Sequence, residues 1–171
     1  MATFLERLAA RQHLAAALLS TWLILTSPWI SMLRRIPRNA SVLEYSHVVL
    51  GLLALLLATT YTLSCTRRGR WRLYFPWAAG EFAATWKDAR GLLHGWIPAA
   101  EGGGLFALIE GLLLVLFLLT AATGAAWFWT QDSSDAVLWR GCHVLVARGL
   151  AGLIVLHVVS VSLHLLDFVR D

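Results

Sequence analysis

The sequence predicts an all-α membrane protein, a bundle of four transmembrane helices built from residues 1–171 as a single domain. Composition supports this first, because 58% of the residues are hydrophobic and 14% are charged, whereas soluble domains average about 25% charged residues. Apolar windows of some twenty residues also recur, and each can cross a hydrocarbon core of roughly 30 Å. The nine tryptophans fit aromatic belts at the two membrane interfaces.

The first predicted span covers residues 12–33 and carries His13 at its edge. A charged lead followed by an apolar run could also be a signal peptide. The run is too long for a typical signal sequence, and no convincing cleavage site follows it. We therefore expect a transmembrane helix that is interrupted at Pro28.

The second predicted span, residues 42–65, follows a short basic connection, and Ser41 is its expected N-cap. Glu44 and His47 lie in its first turns, and Gly51 follows His47 by one turn on the same face. A glycine there would let a bulky planar group approach the backbone. Close packing of two helices explains it equally well.

The connection from residue 66 to residue 104 is the longest and most basic of the chain. Residues 81–93 place apolar side chains at helical spacing, which predicts an amphipathic segment lying on the membrane surface between the second and third spans. His94 has no partner at its predicted depth, so we interpret it as a surface residue.

Two further spans follow, at residues 105–129 and 137–168. Glu110 lies in the first turns of the third span, and Gly124 lies towards its end. The polar turn between these spans contains two aspartates and no basic residue.

The distribution of basic residues predicts the orientation, because cytoplasmic connections carry the excess of Lys and Arg. Nine lie on the side of the termini and the long connection, against four on the two short connections. Both termini are therefore expected in the cytoplasm. The net charge of +4 is explained by this topology, and we expect no nucleic-acid partner. The nine are Arg7, Arg11, Arg67, Arg68, Arg70, Arg72, Lys87, Arg90 and Arg170; the four are Arg34, Arg35, Arg38 and Arg140.

Four histidines form the candidate site. His143 and His157 stand fourteen residues apart in the last span, about 21 Å along a helix and on nearly the same face. Predicted depth pairs His47 with His143, and His13 with His157. Each histidine could be a hydrogen-bonding residue between helices, but paired imidazoles across a gap suit six-coordinate haem b. Zinc and copper are disfavoured, since neither pair has a further histidine, cysteine, methionine or carboxylate ligand at its depth.

The order and spacing of these histidines resemble the four-helix di-haem cytochrome b superfamily. That group includes bacterial cytochrome b561 and the cytochrome b subunits of Ni/Fe-hydrogenase, formate dehydrogenase and thiosulfate reductase. The resemblance covers nearly the whole chain and implies two stacked b haems in a multi-pass protein of the bacterial inner (cytoplasmic) membrane. It implies that His13 and His157 hold the inner haem iron and that His47 and His143 hold the outer one. The matching residues are His13 in Arg11-Gln12-His13, His47 in Tyr45-Ser46-His47, Gly51, Gly124, His143 and His157.

The resemblance also implies a quinone site close to the inner haem. His164 and Asp167 are the candidates here, although both could instead be interfacial residues facing water. Glu110 could relay a proton to the quinone or face a wet crevice. Arg148, a costly charge inside the fourth span, is expected to meet the propionates of the outer haem. Otherwise it reaches towards the interface or lines a partner surface.

The expected function is electron transfer across the membrane between the quinone pool and a redox partner at the outer face. The chain would be the cytochrome b subunit of a respiratory or photosynthetic complex, and short outer connections would leave the outer haem open for docking. A stand-alone superoxide:quinone oxidoreductase of the cytochrome b561 type is the alternative, with the four cations of the short connections steering the anion. A haem-free membrane scaffold or metal carrier is the third possibility.

Overall fold

The long apolar runs of the sequence are helices in the computed structural model. It describes the backbone of residues 4–95 and 103–170, and the side chains of residues 11–67, 69–95 and 103–162. This part of the chain is helical and contains no β-strand, so the all-α prediction is confirmed. The helices are α1 Phe4–Thr26, α2 Val42–Thr66, α3 Trp71–Tyr74, α4 Pro76–Ala79, α5 Ala83–Leu93, α6 Gly104–Trp129 and α7 Asp135–Arg170, with 3-10 turns at Ser27–Trp29 and Arg67–Gly69.

Three helices are long and apolar enough to cross a membrane, on length and composition. Among the described residues they are Val42–Thr66, Gly104–Trp129 and Asp135–Ser162. At about 1.5 Å per residue each exceeds the hydrocarbon thickness of roughly 30 Å. They match the second, third and fourth predicted spans, and the chain is a multi-pass membrane protein.

The first helix begins and ends earlier in the chain than the predicted span. Helix α1 ends at Thr26, whereas the predicted span continues to residue 33. Pro28 lies in the first positions of the following 3-10 turn, and a proline supplies no N–H to continue a helix. The Thr26 hydroxyl donates to the carbonyl of Trp22 at 2.8 Å, within the last turn of the helix. A fourth membrane span formed by α1 stays a prediction.

The chain divides into two compact units. The first unit comprises Met1–Ser64 with Leu116–Gly149, and the second comprises Cys65–Val115 with Leu150–Asp171. Helices α2, α6 and α7 each contribute residues to both units. The organisation of residues 1–171 as one domain stays a prediction.

In the first unit, the connection at residues 27–41 is a folded segment. Arg140 donates from Nε to the carbonyl of Met32 at 2.7 Å, and Trp127 donates from Nε1 to the carbonyl of Leu33 at 3.0 Å. The connection is thereby held to both α6 and α7. A buried apolar cluster fills the same region, formed by Met32, Trp127 and Ala136 with Ile30, Ile36, Val48, Phe128 and Trp139 packed against it.

Helix α2 begins with a capping box. The backbone N–H of Ser41 donates to Oε2 of Glu44 at 2.9 Å, and the backbone N–H of Glu44 donates to the Ser41 hydroxyl at 3.2 Å. The Ser31 hydroxyl donates to the other carboxylate oxygen of Glu44 at 3.0 Å. These bonds satisfy donors that a helix start leaves free, so the expected N-cap at Ser41 is confirmed. They also fix where α2 begins, and with it the position of His47.

In the second unit, α5 is joined to the start of α6. The Asp88 carboxylate accepts a hydrogen bond from the backbone N–H of Leu105 at 3.0 Å, where a helix N-terminus favours a negative charge. Gly104 has a φ of +78° and lies against this carboxylate, which a residue with a Cβ could not do. Gly111, about two turns further along α6, lies against the backbone carbonyl of Tyr74.

Candidate functional site

Two of the predicted histidines meet in the first unit. His47 lies on α2 and His143 on α7, with ring centroids 6.4 Å apart and ring planes at 89°. Both side chains are half-buried. This is the pair that predicted depth brings together.

A backbone carbonyl of α6 holds the His143 ring. Nδ1 of His143 lies 2.9 Å from the carbonyl oxygen of Thr120 and 3.5 Å from the hydroxyl of Thr123. A carbonyl can only accept, so Nδ1 carries the proton and Nε2 keeps its lone pair. Metal-binding histidines commonly take this arrangement, because the second hydrogen bond fixes the tautomer and orients the ring.

Glycine at position 124 makes room for the His143 ring. A Cβ at this position would lie 3.1 Å from both Nδ1 and Cε1 of His143, which is too close for comfortable packing. The ring therefore lies directly on the backbone of α6. At Gly51, by contrast, no described heavy atom lies within 4 Å of where a Cβ would be, so the face of α2 one turn beyond His47 is open.

The pair fits two axial imidazole ligands. The bond from a metal ion to an imidazole nitrogen is about 2.0–2.1 Å long, and the ring centre lies about 1.1 Å beyond that nitrogen. The centres of two rings on opposite sides of one metal ion are therefore about 6.3 Å apart. The observed separation is 6.4 Å. Nδ1 of His47 is buried with no hydrogen-bond partner among the described residues. No group of three or more histidine, cysteine or acidic ligands was found in the described part of the chain, so the donors are two imidazoles, the axial set of haem b.

The other predicted pair is divided between the two units. In the first unit, the exposed His13 ring stacks on Tyr61 of α2, with centroids 6.2 Å apart and planes at 15°. In the second unit, Nδ1 of His157 is buried and has no hydrogen-bond partner within the described residues. A shared iron site of His13 and His157 stays a prediction.

Sequence reasoning missed Tyr61. It follows His47 by fourteen residues on α2, as His157 follows His143 on α7. That spacing puts Tyr61 on nearly the same helix face as His47. The repeated interval was the signal that could have identified it.

The other residues singled out in the sequence are Arg148, His164, Asp167 and His94. Arg148 is exposed on α7, and no described carboxylate lies within ion-pair distance of it; its contact with a propionate stays a prediction. The side chains of His164 and Asp167 lie outside the described residues, so their quinone role also stays a prediction. His94 is exposed, as expected, with Nδ1 2.8 Å from the carbonyl of Arg90.

Glu110 lies near Tyr74 in the second unit. Burial raises the pKa of Tyr74, and Cys65 and the carboxylate of Glu110 raise it further. The structure brings Glu110 to a tyrosine and leaves its proton-relay role a prediction.

Two of the four cations expected to form an outer rim are engaged by the protein itself. Arg140 donates to the Met32 carbonyl. Arg35 pairs with Asp132 at 3.5 Å, and both side chains are largely exposed. The contribution of such an exposed pair to stability is small, but it offsets one positive charge of the rim.

Comparison with known families adds independent support. The family model described as prokaryotic cytochrome b561 matches residues 6–167, which include all four histidines of the candidate site. Comparisons with curated proteins and with solved structures found no match. The match covers almost the whole chain and confirms the resemblance drawn from the histidine pattern. The chain belongs to the prokaryotic cytochrome b561 family.

Proposed function

We propose that the protein carries electrons across the bacterial inner membrane through two b haems. The proposed route joins the membrane quinone pool to a redox partner at the outer face, with the chain as the cytochrome b subunit of a respiratory or photosynthetic complex. Family membership supports b-type haem and electron transfer in the membrane. The observation that carries the proposal is the pair of imidazole rings 6.4 Å apart on α2 and α7.

In this proposal His47 and His143 hold the outer haem iron. Haem supplies the reversible one-electron chemistry when it is bound. The Thr120 carbonyl keeps the proton on Nδ1 of His143, so Nε2 is the ligand atom. Gly124 and Gly51 leave space beside the two rings.

His13 and His157 are the proposed ligands of the inner haem iron. Tyr61 supports the His13 ring from one face. His164 and Asp167 follow on α7 and are the proposed quinone contacts, where an imidazole and a carboxyl group would exchange the protons of a quinol. Arg148 is the proposed partner of the outer haem propionates.

A stand-alone superoxide:quinone oxidoreductase receives less support. Steering of an anion needs net positive charge around the outer site. Asp132 offsets the charge of Arg35, whereas Arg140 keeps its charge in the hydrogen bond to the Met32 carbonyl. The third possibility, a haem-free scaffold or metal carrier, disagrees with membership of a cytochrome family.

Haem content tests the proposal directly. A pyridine haemochrome assay of the purified protein should give two b haems per chain. His47→Ala and His143→Ala should each remove the same spectral component, and His13→Ala and His157→Ala should each remove the other. His94→Ala is the matched control, since His94 is exposed and bonded to its own helix, and it should retain both haems. One haem per chain in the parent protein, or loss of one component in both His47→Ala and His157→Ala, would contradict the architecture.

The two ends of the route need separate tests. Copurification from the native membrane should recover a dehydrogenase or multihaem partner, whereas a protein that purifies alone and oxidises superoxide would favour the stand-alone enzyme.

His164→Ala and Asp167→Asn should slow electron exchange with a quinol analogue while both haems are retained. Parental exchange rates in both variants would exclude these residues from the quinone site.

A further inference from the structure

Helix α5 presents an exposed apolar stripe. The side chains of Phe82, Trp86 and Leu93 are 49%, 60% and 85% exposed. They stand four and seven residues apart, so they share one helix face. Phe82 directly precedes the helix, and the other two lie in its first and last turns. A short helix with such a face is typical of a segment that lies in a membrane interface.

The rotation of α5 is fixed by Asp88. This residue follows Trp86 by two positions, which places it about 160° around the helix from the stripe. Its carboxylate accepts the hydrogen bond from the backbone N–H of Leu105, so the Asp88 face is turned towards the protein and the stripe is turned away. Leu105 begins a membrane-spanning helix, and α5 is therefore tied to the end of a span, at interface level.

Two cations border the stripe. The Arg90 guanidinium lies 5.3 Å from the centre of the Trp86 ring, and Lys87 adjoins it on the same side of the helix. No carboxylate of the described residues lies within ion-pair distance of either one. Arg72 differs, because Glu81 lies 3.3 Å from it and offsets its charge.

We infer that α5 is a binding surface for acidic phospholipids, in which Phe82, Trp86 and Leu93 enter the acyl boundary and Lys87 and Arg90 bind the headgroups. Apolar insertion beside cations is the combination that selects anionic bilayers. A protein partner fits less well, because stable interfaces bury about 800 Å² on each side and three side chains on an eleven-residue helix offer only part of that. The inference rests on the second unit and does not depend on haem.

Lipid retention tests the headgroup contacts. The full-length protein is reconstituted with equal amounts of phosphatidylglycerol and phosphatidylcholine, released from the bilayer, and analysed by native mass spectrometry. The parent protein should retain phosphatidylglycerol preferentially. Lys87→Gln and Arg90→Gln should each lower that preference about fivefold. Arg72→Gln removes a cation that is already paired and should change the preference much less. Unchanged retention in Lys87→Gln and Arg90→Gln, or an equal loss in all three variants, would overturn the inference.

A second measurement tests what covers the stripe. A spin label at Leu93→Cys, with the parent protein as the background, is exposed to oxygen and to a water-soluble nickel chelate in phosphatidylglycerol bilayers. Contact with the acyl boundary predicts strong collision with oxygen and weak collision with the chelate. Preferential collision with the chelate would place the stripe in water, and shielding from both reagents would place it against a protein or a second copy of the chain. Either result would overturn the inference, and a haemochrome assay of the same samples shows whether the labelled protein is intact.

Discussion

The two histidines of α7 differ in how their rings are held. His143 has its Nδ1 bonded to the Thr120 carbonyl and its ring against Gly124. Nδ1 of His157 is buried without a hydrogen-bond partner in the described part of the second unit. A buried polar atom without a partner is costly, and a ring with no second bond is free to choose its tautomer. The first histidine is therefore oriented before any ligand binds, whereas no hydrogen bond from the described residues orients the second.

The two histidines proposed to pair with them, His47 and His13, also differ in how their rings are held, but in the opposite order. His47, opposite His143, has a buried Nδ1 with no described hydrogen-bond partner, whereas the His13 ring stacks on Tyr61. Within the described residues, each proposed haem site thus contains one imidazole with a supporting contact and one whose Nδ1 has no hydrogen-bond partner. The two contacts act differently on the imidazole rings. The hydrogen bond to the Thr120 carbonyl fixes both the rotation and the tautomer of the His143 ring, whereas stacking on Tyr61 fixes only the plane of the His13 ring. This difference can be measured.

The largest effect is expected at Gly124. In Gly124→Val the new side chain would meet the His143 ring, because a Cβ alone already lies 3.1 Å from two ring atoms. Overpacking of this kind costs about 1–3 kcal/mol, so haem affinity at the His47–His143 site should fall roughly 5- to 150-fold. Haem titration followed by its absorbance difference measures the change.

Two further variants make the Gly124 test specific. Gly124→Ala should give a smaller loss of affinity than Gly124→Val. In Gly149→Ala the new Cβ would lie 3.6 Å from Leu116, an ordinary contact, and both haems should stay bound. If Gly124→Val bound the haem at His47 and His143 as tightly as the parent protein, the ring would not lie on α6 in the haem-bound protein.

A smaller effect is expected at Tyr61. Tyr61→Leu removes the ring stacked on His13, and aromatic pairs contribute about 0.5–1.5 kcal/mol. Haem affinity at the proposed His13–His157 site should therefore fall about 2- to 12-fold, with a shift in the redox potential of that haem alone. Tyr61→Phe keeps the stacked ring and should lose less affinity than Tyr61→Leu. A loss confined to the His47–His143 component would contradict the pairing.

Local signals in the sequence predicted local structure well. The Ser-x-x-Glu pattern at Ser41 and Glu44 gave the start of α2, because a capping box needs only neighbours within one turn. Long apolar runs likewise gave the bounds of α2 and α6 to within one residue. Depth along those runs was enough to bring His47 and His143 together, since helices that begin on the same side place their first turns at one level.

Contacts between distant parts of the chain were not predictable from these signals. The bond from Arg140 to the Met32 carbonyl joins residues that are 108 positions apart, and it helps to hold the connection at residues 27–41 as a folded segment. The end of α1 at Thr26 was not predicted, because the sequence stays apolar beyond Pro28 and hydropathy does not show whether the proline ends the helix or only bends it. The stacking of Tyr61 on His13 could be predicted only from the position of α1 relative to α2, which hydropathy does not give.

The smallest effect is expected in the order of haem release. Ordering one side chain on binding costs about 0.5–1.5 kcal/mol, and the Thr120 carbonyl has already ordered His143. In Tyr61→Leu, where the stacked ring no longer favours the other site, excess apomyoglobin should therefore extract the haem at the His47–His143 site at least about twofold more slowly than the other haem. In the parent protein the stacking of Tyr61 on His13 opposes this asymmetry, so it should grow in Tyr61→Leu. Faster loss from the His47–His143 site in both proteins would show that the carbonyl bond gives the haem no advantage.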